Sequence, residues 1–359
     1  MRPDLSRIAQ AIARPLLAIA LSLVLFAGVL VVGQYNVLDV YASLLAGAVG
    51  SPAAIGSTLR WATSLILAGL AVSIPLRAGL FNAGVEGQLY LAGFVAAMIG
   101  IHADLPALVM QPLVLIAAIV VGMLWALLPT LLLIHTRASE IVTTLMLNFV
   151  AIGLVNYFVN NYFRTELSAA AVMTDKVSPA ARFPSIFPPY QVSYGILVAI
   201  GLVFLLQMFF RRTKHGYEIR MIGLNRNFAR FGGISIKRGW LISMLASGAI
   251  AGLIGAFEIN GVNGRFISGF SPGFGFDGFL VAFLAGGSPV GVIWAGLGVA
   301  ALRAGSLSVA IDFGVPRITI DILQGFIILF ISARLGRFDF VRRVIAERKA
   351  KASDQGEAR

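Results

Sequence analysis

Cysteine is absent from the 359-residue chain, which excludes disulfides, iron–sulfur clusters and thiolate zinc sites while leaving the compartment open. Charge is scarce as well: Asp, Glu, Lys and Arg make up 12% of the residues, half of the ~25% usual in soluble domains. The three histidines, His102, His135 and His215, stand apart with no partner at metal-ligand spacing. No Gly-x-x-x-x-Gly-Lys-Ser/Thr segment occurs, so no phosphate-cradling loop is available for ATP hydrolysis. Nor can a Ser/His/Asp set or a pair of catalytic carboxylates be gathered at one depth, and an enzymatic reading has no positive support.

What the chain has is apolar length. Hydrophobic residues are 58% of it and the mean hydropathy is +0.88. A soluble fold of this size cannot hide so much apolar surface, whereas a bilayer accepts it on every outward face. Crossing the hydrocarbon layer takes roughly 20 apolar residues. Such runs fall near 14–34, 59–76, 79–101, 107–134, 141–163, 191–210, 239–258, 277–287, 289–304 and 318–333. The expected fold is therefore all-α, a polytopic membrane protein with about ten transmembrane segments. They form one domain, residues 14–334, between a short N-terminus (1–13) and a basic tail (335–359).

The first run, Leu16 to Val32, follows Arg2, Arg7 and Arg14 without a small-residue cleavage site. It reads as an anchor rather than a removed signal peptide. The eighth and ninth runs are short and separated by Gly286-Gly287-Ser288-Pro289. They read as broken half-helices near 277–304 that meet inside the membrane, a break that survives only within protein or a water-filled cavity.

The net charge of +12 follows from placement. With the N-terminus inside and ten crossings, the outer segments hold only Arg60, Arg164, Lys176, Arg182, Arg265, Arg303 and Arg317 of the 28 basic residues. That is the bias of the positive-inside rule, and it places both termini and residues 211–238 in the cytoplasm. The tail from Arg334 to Lys351 reads as an anchor beside anionic lipid. It lacks the aromatic interleaving and the binding module that nucleic-acid binding would call for.

Several segments carry polar groups that the apolar pattern does not explain. In the inner loop 211–238, Asn225 can cap a helix start and Gly232-Gly233 can end it. Between them Phe228 and Phe231 lie three apart on one face, beside Arg226 and Arg230. Such a helix suits a partner's groove, with two aromatic anchors, and it suits rest on a lipid interface equally well. At the inner end of the third span, Gly79, Gly84 and Gly87 surround Phe81, Asn82, Glu86 and Gln88, allowing close backbone approach or an irregular turn. A carboxylate at that depth costs about 2.5 kcal/mol or more unless paired or hydrated. Glu86 is therefore expected to face protein or a pathway, with a structural hydrogen-bond network as the plainer alternative.

Glu140 is expected at a helix start, where the dipole favours an acid, with Thr144 and Asn148 near one face of the same helix. Glu258, Asn260 and Asn263 close the seventh span on the outer side, and a loop from Gly269 to Phe276 leads to Asp277. Phe270, Phe274 and Phe276 offer flat faces at a substrate entrance, or else form an interfacial aromatic belt. The outer loop 164–190, with Pro179, Pro184, Pro188 and Pro189, reads as an ordered, exposed connection.

Two segments have the look of a known family. The run Gly79-Leu80-Phe81-Asn82-Ala83-Gly84-Val85-Glu86-Gly87-Gln88 is one. The other is Gly216-Tyr217-Glu218-Ile219-Arg220, through Gly223-Leu224-Asn225, Ala229-Arg230 and Gly232-Gly233-Ile234. Together they resemble the inner-membrane permeases of ABC importers, in the branch of ribose-type sugar permeases and nucleoside permeases. The Gly-Leu-Phe-Asn form is most similar to the nucleoside permeases served by basic-membrane-lipoprotein binding proteins.

The resemblance implies passage rather than chemistry, in the bacterial inner membrane. It implies a cytoplasmic ATP-binding subunit, a second homologous permease subunit and an extracytoplasmic substrate-binding lipoprotein, with ATP on the partner ATPase and no cofactor or metal on this chain. It implies that Glu218, Arg220, Gly223, Asn225, Phe228, Arg230, Phe231 and Gly232 dock the ATPase. In its light, Phe81, Asn82, Glu86, Gln88, Asn148, Phe276 and Asp277 are the residues expected to line the pathway of a small-molecule substrate, a nucleoside or alternatively a sugar. A rival from another class is an ion-coupled secondary transporter, which also uses broken helices and buried carboxylates but needs no ATPase.

Overall fold

The computed structural model describes residues 5–165 and 171–332. Their regular structure is helical, apart from two isolated antiparallel bridges, Met173 with Ile267 and Ser185 with Ser193. The tail read as a lipid anchor, Arg334 to Lys351, lies outside the described residues.

The described residues form two compact units, one from residues 5–41 and 313–332, the other from residues 42–165 and 171–312. In the first, α1 (Leu5–Val32) packs on α13 (Arg317–Ser332). The Tyr41 hydroxyl there donates to the Leu23 carbonyl at 2.5 Å, and its ring lies 6.3 Å from that of Phe26. Tyr41 belongs to α2 (Val37–Val49), an element that the hydropathy reading missed because Asp39, Tyr41 and Ser43 interrupt its apolar run.

The second unit contains α3 (Pro52–Arg77), α4 (Val85–His102), α5 (Ala107–Thr136), α6 (Glu140–Phe158), α7 (Gly195–Arg212), α8 (Lys214–Leu224), α9 (Arg226–Phe231), α10 (Ile236–Ala256), α11 (Phe274–Leu284) and α12 (Pro289–Phe313). A π-helical turn extends α6 to Phe163, and another extends α10 to Asn263. Among the described residues α3, α4, α5, α6, α7, α10 and α12 are long and apolar enough to cross a membrane. With α1, α11 and α13 they account for the ten runs read from the sequence.

Burial sorts these helices by role. Every residue of α3 from Ala62 to Pro75 is buried, so it is enclosed by other helices all round, as a uniformly apolar helix must be to sit away from lipid. α5 buries only Met110, Val114, Ala118, Gly122, Ala126, Thr130 and their neighbours on one stripe, and the rest of it faces outward. That stripe of small residues meets α10. A Cβ placed on Gly122 would fall on the Gly248 carbonyl, and one on Gly252 on the Ala118 carbonyl, the close backbone approach that small residues permit between membrane helices.

The eighth run forms a half-helix as expected, and the ninth does not. α11 is short, with 11 residues and hence about 16 Å of length, half of the ~30 Å hydrocarbon layer. α12 is a full span of 25 residues, continuing past Arg303 to Phe313. The Gly286–Ser288 turn lies beside the end of α3, whose last residue, Arg77, donates to the Gly287 carbonyl. The interior break lies instead at Gly273, whose φ of 100° opens α11.

Candidate functional site

After Arg77 the chain does not leave at the helix end. Gly79, at φ 71°, turns residues 80–84 back toward the interior, and α4 starts at depth. The Asn82 amide donates to the Ser247 hydroxyl of α10 at 2.8 Å, and that hydroxyl donates to the Ala71 carbonyl of α3 at 2.6 Å. Ala71 is six residues, about 9 Å along the axis, from the end of α3.

Asn82 and Gln88 exchange side-chain amide hydrogen bonds at 3.1 and 3.2 Å, and Asn82 Oδ1 also accepts from the Gly84 backbone N–H at 3.0 Å. From α6, the Thr144 hydroxyl accepts from the Ala83 backbone N–H, while Asn148 accepts from the Gly87 N–H at 2.8 Å and donates to the Ala83 carbonyl at 2.7 Å. The spacing of Thr144 and Asn148 on one helical face is what lets both reach residues 83–87. Glu140 occupies the first turn of α6. Asn82, Gln88 and Asn148 are thus brought together, nearly fully buried, and they satisfy one another and the elbow backbone.

A second break enters from the opposite end. After the π-helical turn of α10, residues 264–273 fold inward and are fastened to α4 and α6: Asn156 Oδ1 accepts from the Tyr90 hydroxyl at 3.2 Å and the Ser268 hydroxyl at 2.9 Å, and the Gly269 N–H donates to the Tyr90 oxygen at 2.8 Å. The expected aromatic entrance or belt is only partly realised. Phe270 stacks on Tyr90 at 5.1 Å and Phe274 packs on Trp61 at 5.6 Å, both as packing groups. Phe276 is 50% exposed.

The two breaks meet at Glu86. Its carboxylate accepts from the Gly275 backbone N–H at 2.7 Å and bonds the Ser271 side chain. A Cβ on Gly275 would lie 2.5 Å from the Glu86 nitrogen, so only glycine admits this approach. Two residues on, Asp277 Oδ2 accepts from Arg303 Nε at 3.1 Å and Nη2 at 2.8 Å across α11 and α12, with both side chains buried. Phe81 is 39% exposed and its ring lies 6.4 Å from Phe279, nearly parallel.

Sequence reasoning missed Arg303, Ser247, Ser271 and Gly275. A lone arginine in an apolar run is the signal that would have found Arg303, because such a charge inside a membrane needs a partner. A further buried polar group sits between the N-terminal half of α3 and the C-terminal end of α10, where Glu258 accepts from the Ser64 hydroxyl at 2.5 Å and pairs with Arg60 at 3.6 Å.

Residues 211–238 form two short helices at the end of the unit where α3 and α7 finish. The Thr213 hydroxyl caps α8 by accepting from the Gly216 N–H at 3.0 Å, and Asn225 caps α9 by accepting from the Phe228 N–H at 3.0 Å. Phe228 and Phe231 are 64% and 92% exposed. Glu218 pairs within α8 with His215 at 3.0 Å and Lys214 at 3.9 Å. Gly223 lies against the backbone of Arg77 and Gly79, and Arg226 donates to the Gly79 carbonyl at 2.8 Å while stacking on Trp240. Arg220 and Gly223 therefore face the unit, Phe228 and Phe231 face away from it, and α8–α9 touch the elbow that leads to Asn82 and Glu86.

Buried polar groups tie two interrupted helices together in a bundle with seven helices long and apolar enough to cross a membrane among the described residues, the architecture of a polytopic membrane protein. Residues 54–332 match the family described as "Branched-chain amino acid transport system / permease component". The chain belongs to this permease family and is a transport subunit rather than an enzyme. It is 34% identical to the guanosine ABC transporter permease protein NupP of Bacillus subtilis, over 95% of this chain and 97% of that one. It is 35% identical to the glucose ABC transporter permease protein TsgB13 of Haloferax volcanii, over 88% and 86%. It is 32% identical to the nucleoside ABC transporter permease protein NupB of Lactococcus lactis, over 96% and 95%.

Proposed function

We propose that this chain is the permease subunit of an ATP-driven importer that moves a nucleoside across the bacterial plasma membrane, with residues 211–238 and both termini on the cytoplasmic side. The observation that carries the mechanism is the contact of Gly223 and Arg226 with Arg77 and Gly79. It gives a partner ATPase seated on Phe228 and Phe231 a rigid path to the elbow and from there to Asn82, Glu86 and Gln88. ATP stays on that partner, and this chain binds no cofactor.

The pathway is assigned to the faces around Phe81, Glu86, Gln88, Asn148, Phe276 and Asp277, with Asn82 and Asn148 holding the elbow in place. A second homologous permease completes the channel, and an extracytoplasmic lipoprotein delivers cargo to the end where residues 171–194 lie. Full-length likeness to guanosine and nucleoside permeases supports the nucleoside reading. The glucose permease relative supports a sugar as the second reading.

The test is reconstitution of this chain with its neighbouring permease, ATPase and lipoprotein in proteoliposomes. ATP-dependent uptake of labelled guanosine in preference to glucose is the expected result. Uptake of glucose instead reverses the cargo assignment, and uptake by this chain alone under an ion gradient defeats the ABC mechanism.

A further inference from the structure

A cleft of about 530 Å³ opens where α3 and α7 end, against the turn that joins α11 to α12. Three guanidinium groups line it, those of Arg77, Arg211 and Arg220, and no carboxylate is among its lining residues. Arg77 lies over the Phe210 ring at 4.3 Å and uses one nitrogen on the Gly287 carbonyl. The Nε atoms of Arg77 and Arg220 are enclosed and have no hydrogen-bond partner among the described residues. With its amide oxygen turned toward Arg211, Gln207 accepts from that residue's Nε at 2.9 Å and Nη2 at 3.1 Å, which fixes the third guanidinium at the rim.

Three guanidinium groups that converge on one cleft with no carboxylate among its lining residues repel one another unless an anion joins them. Planar guanidinium forks match phosphate oxygens in geometry and charge. The position of the cleft selects the kind of phosphate. Leu197, Phe204, Leu205 and Met208 on α7 are exposed apolar side chains, as on a lipid-facing helix, and Arg211 follows them at the end of the same helix. Trp294 on α12 is also largely exposed, less than two turns from Pro289 at the cleft, as interfacial tryptophans are. The cleft therefore lies at headgroup depth and opens beside lipid.

We propose that Arg77, Arg211 and Arg220 bind the phosphate headgroup of an anionic phospholipid, with Phe210 as the floor of the site. The lipid would bridge α3, α7, α8 and the α11–α12 turn, and thereby brace the base on which the elbow rests.

The experiment is arginine footprinting with phenylglyoxal on the intact wild-type protein in nanodiscs, read by mass spectrometry. Phosphatidylglycerol discs should protect Arg77 and Arg220 relative to phosphatidylcholine discs. In native mass spectrometry one retained phosphatidylglycerol should dissociate about tenfold more readily from an Arg77→Gln/Arg211→Gln double variant, as lost charge-assisted bonds require, and less so from Arg77→Lys/Arg211→Lys. Equal labelling in both discs together with equal lipid retention overturns the proposal. Protection by millimolar inorganic phosphate with none from the lipid overturns the lipid assignment, and protection that appears only on adding the ATPase assigns the cleft to a protein carboxylate.

Discussion

The carboxylate of Glu86 accepts a 2.7 Å hydrogen bond from the backbone N–H of Gly275, so the first turn of α4 holds the first turn of α11. Neither helix start is a solvent-exposed terminus. Each supplies what the other lacks, an acceptor on one side and an orphan donor on the other.

Replacing Glu86 separates hydrogen bonding from charge. Glu86→Ala leaves the Gly275 donor buried without its acceptor, a cost of about 1–3 kcal/mol, and should lower the melting temperature in detergent and abolish uptake. Glu86→Gln keeps an acceptor oxygen and should retain most of the stability. Equal loss in the two variants would show that the negative charge, not the bond, matters.

Asp277 and Arg303 form a buried pair between α11 and α12, and a double-mutant cycle should show strong coupling. Arg303→Met alone removes the countercharge and is expected to destabilise by about 3–5 kcal/mol. Combining it with Asp277→Leu should recover much of the loss, since replacing both charges avoids desolvating either. Thermal unfolding of the four proteins checks this, and additive effects would contradict it.

Phe228→Asp and Phe231→Asp change exposed side chains on α9 and should leave membrane insertion and melting temperature intact while the ATPase no longer copurifies. Asn225→Ala, which removes the α9 cap at a cost of about 1 kcal/mol, should weaken copurification partially. Unchanged pull-down by the aspartate variants would assign α9 to lipid instead.

Gly223→Ala tests the link to the elbow. Its Cβ would fall on the Arg77 carbonyl, so α8 must move away from α3. The variant should still bind the ATPase but lose coupling of ATP hydrolysis to uptake. Gly201→Ala on α7 is the control, because its Cβ would meet nothing within 4 Å and both activities should persist.

The local signals in the sequence read well where a residue acts on its own neighbourhood. Asn225 caps α9, Gly232 follows its end, and Glu140 opens α6, because capping and dipole effects depend only on the next few residues. The ten apolar runs were legible for the same reason. The failures come from pairing across distance. The ninth run ends at residue 304 in a hydropathy reading, just past Arg303, whose charge is compensated by Asp277 on another helix. The short helix Val37–Val49 escaped because its hydroxyls find partners elsewhere, Ser43 donating to Asp312 at 2.6 Å and Tyr41 to Leu23. The meeting of Glu86 with Gly275 spans 189 positions, and no periodicity links them.

The order in which the ribosome makes Asp277 and Arg303 has a consequence for biogenesis. The acid is synthesised 26 residues ahead of the base, on a helix too short to settle across a bilayer by itself. An arginine entering lipid alone costs about 2.5–3.5 kcal/mol on insertion scales, yet by the time it emerges its counterion is already waiting at the translocon. Pairing of the two segments before release into lipid would spare Arg303 that cost, and the charge that interrupts the hydropathy of α12 would then serve as the latch that seats it.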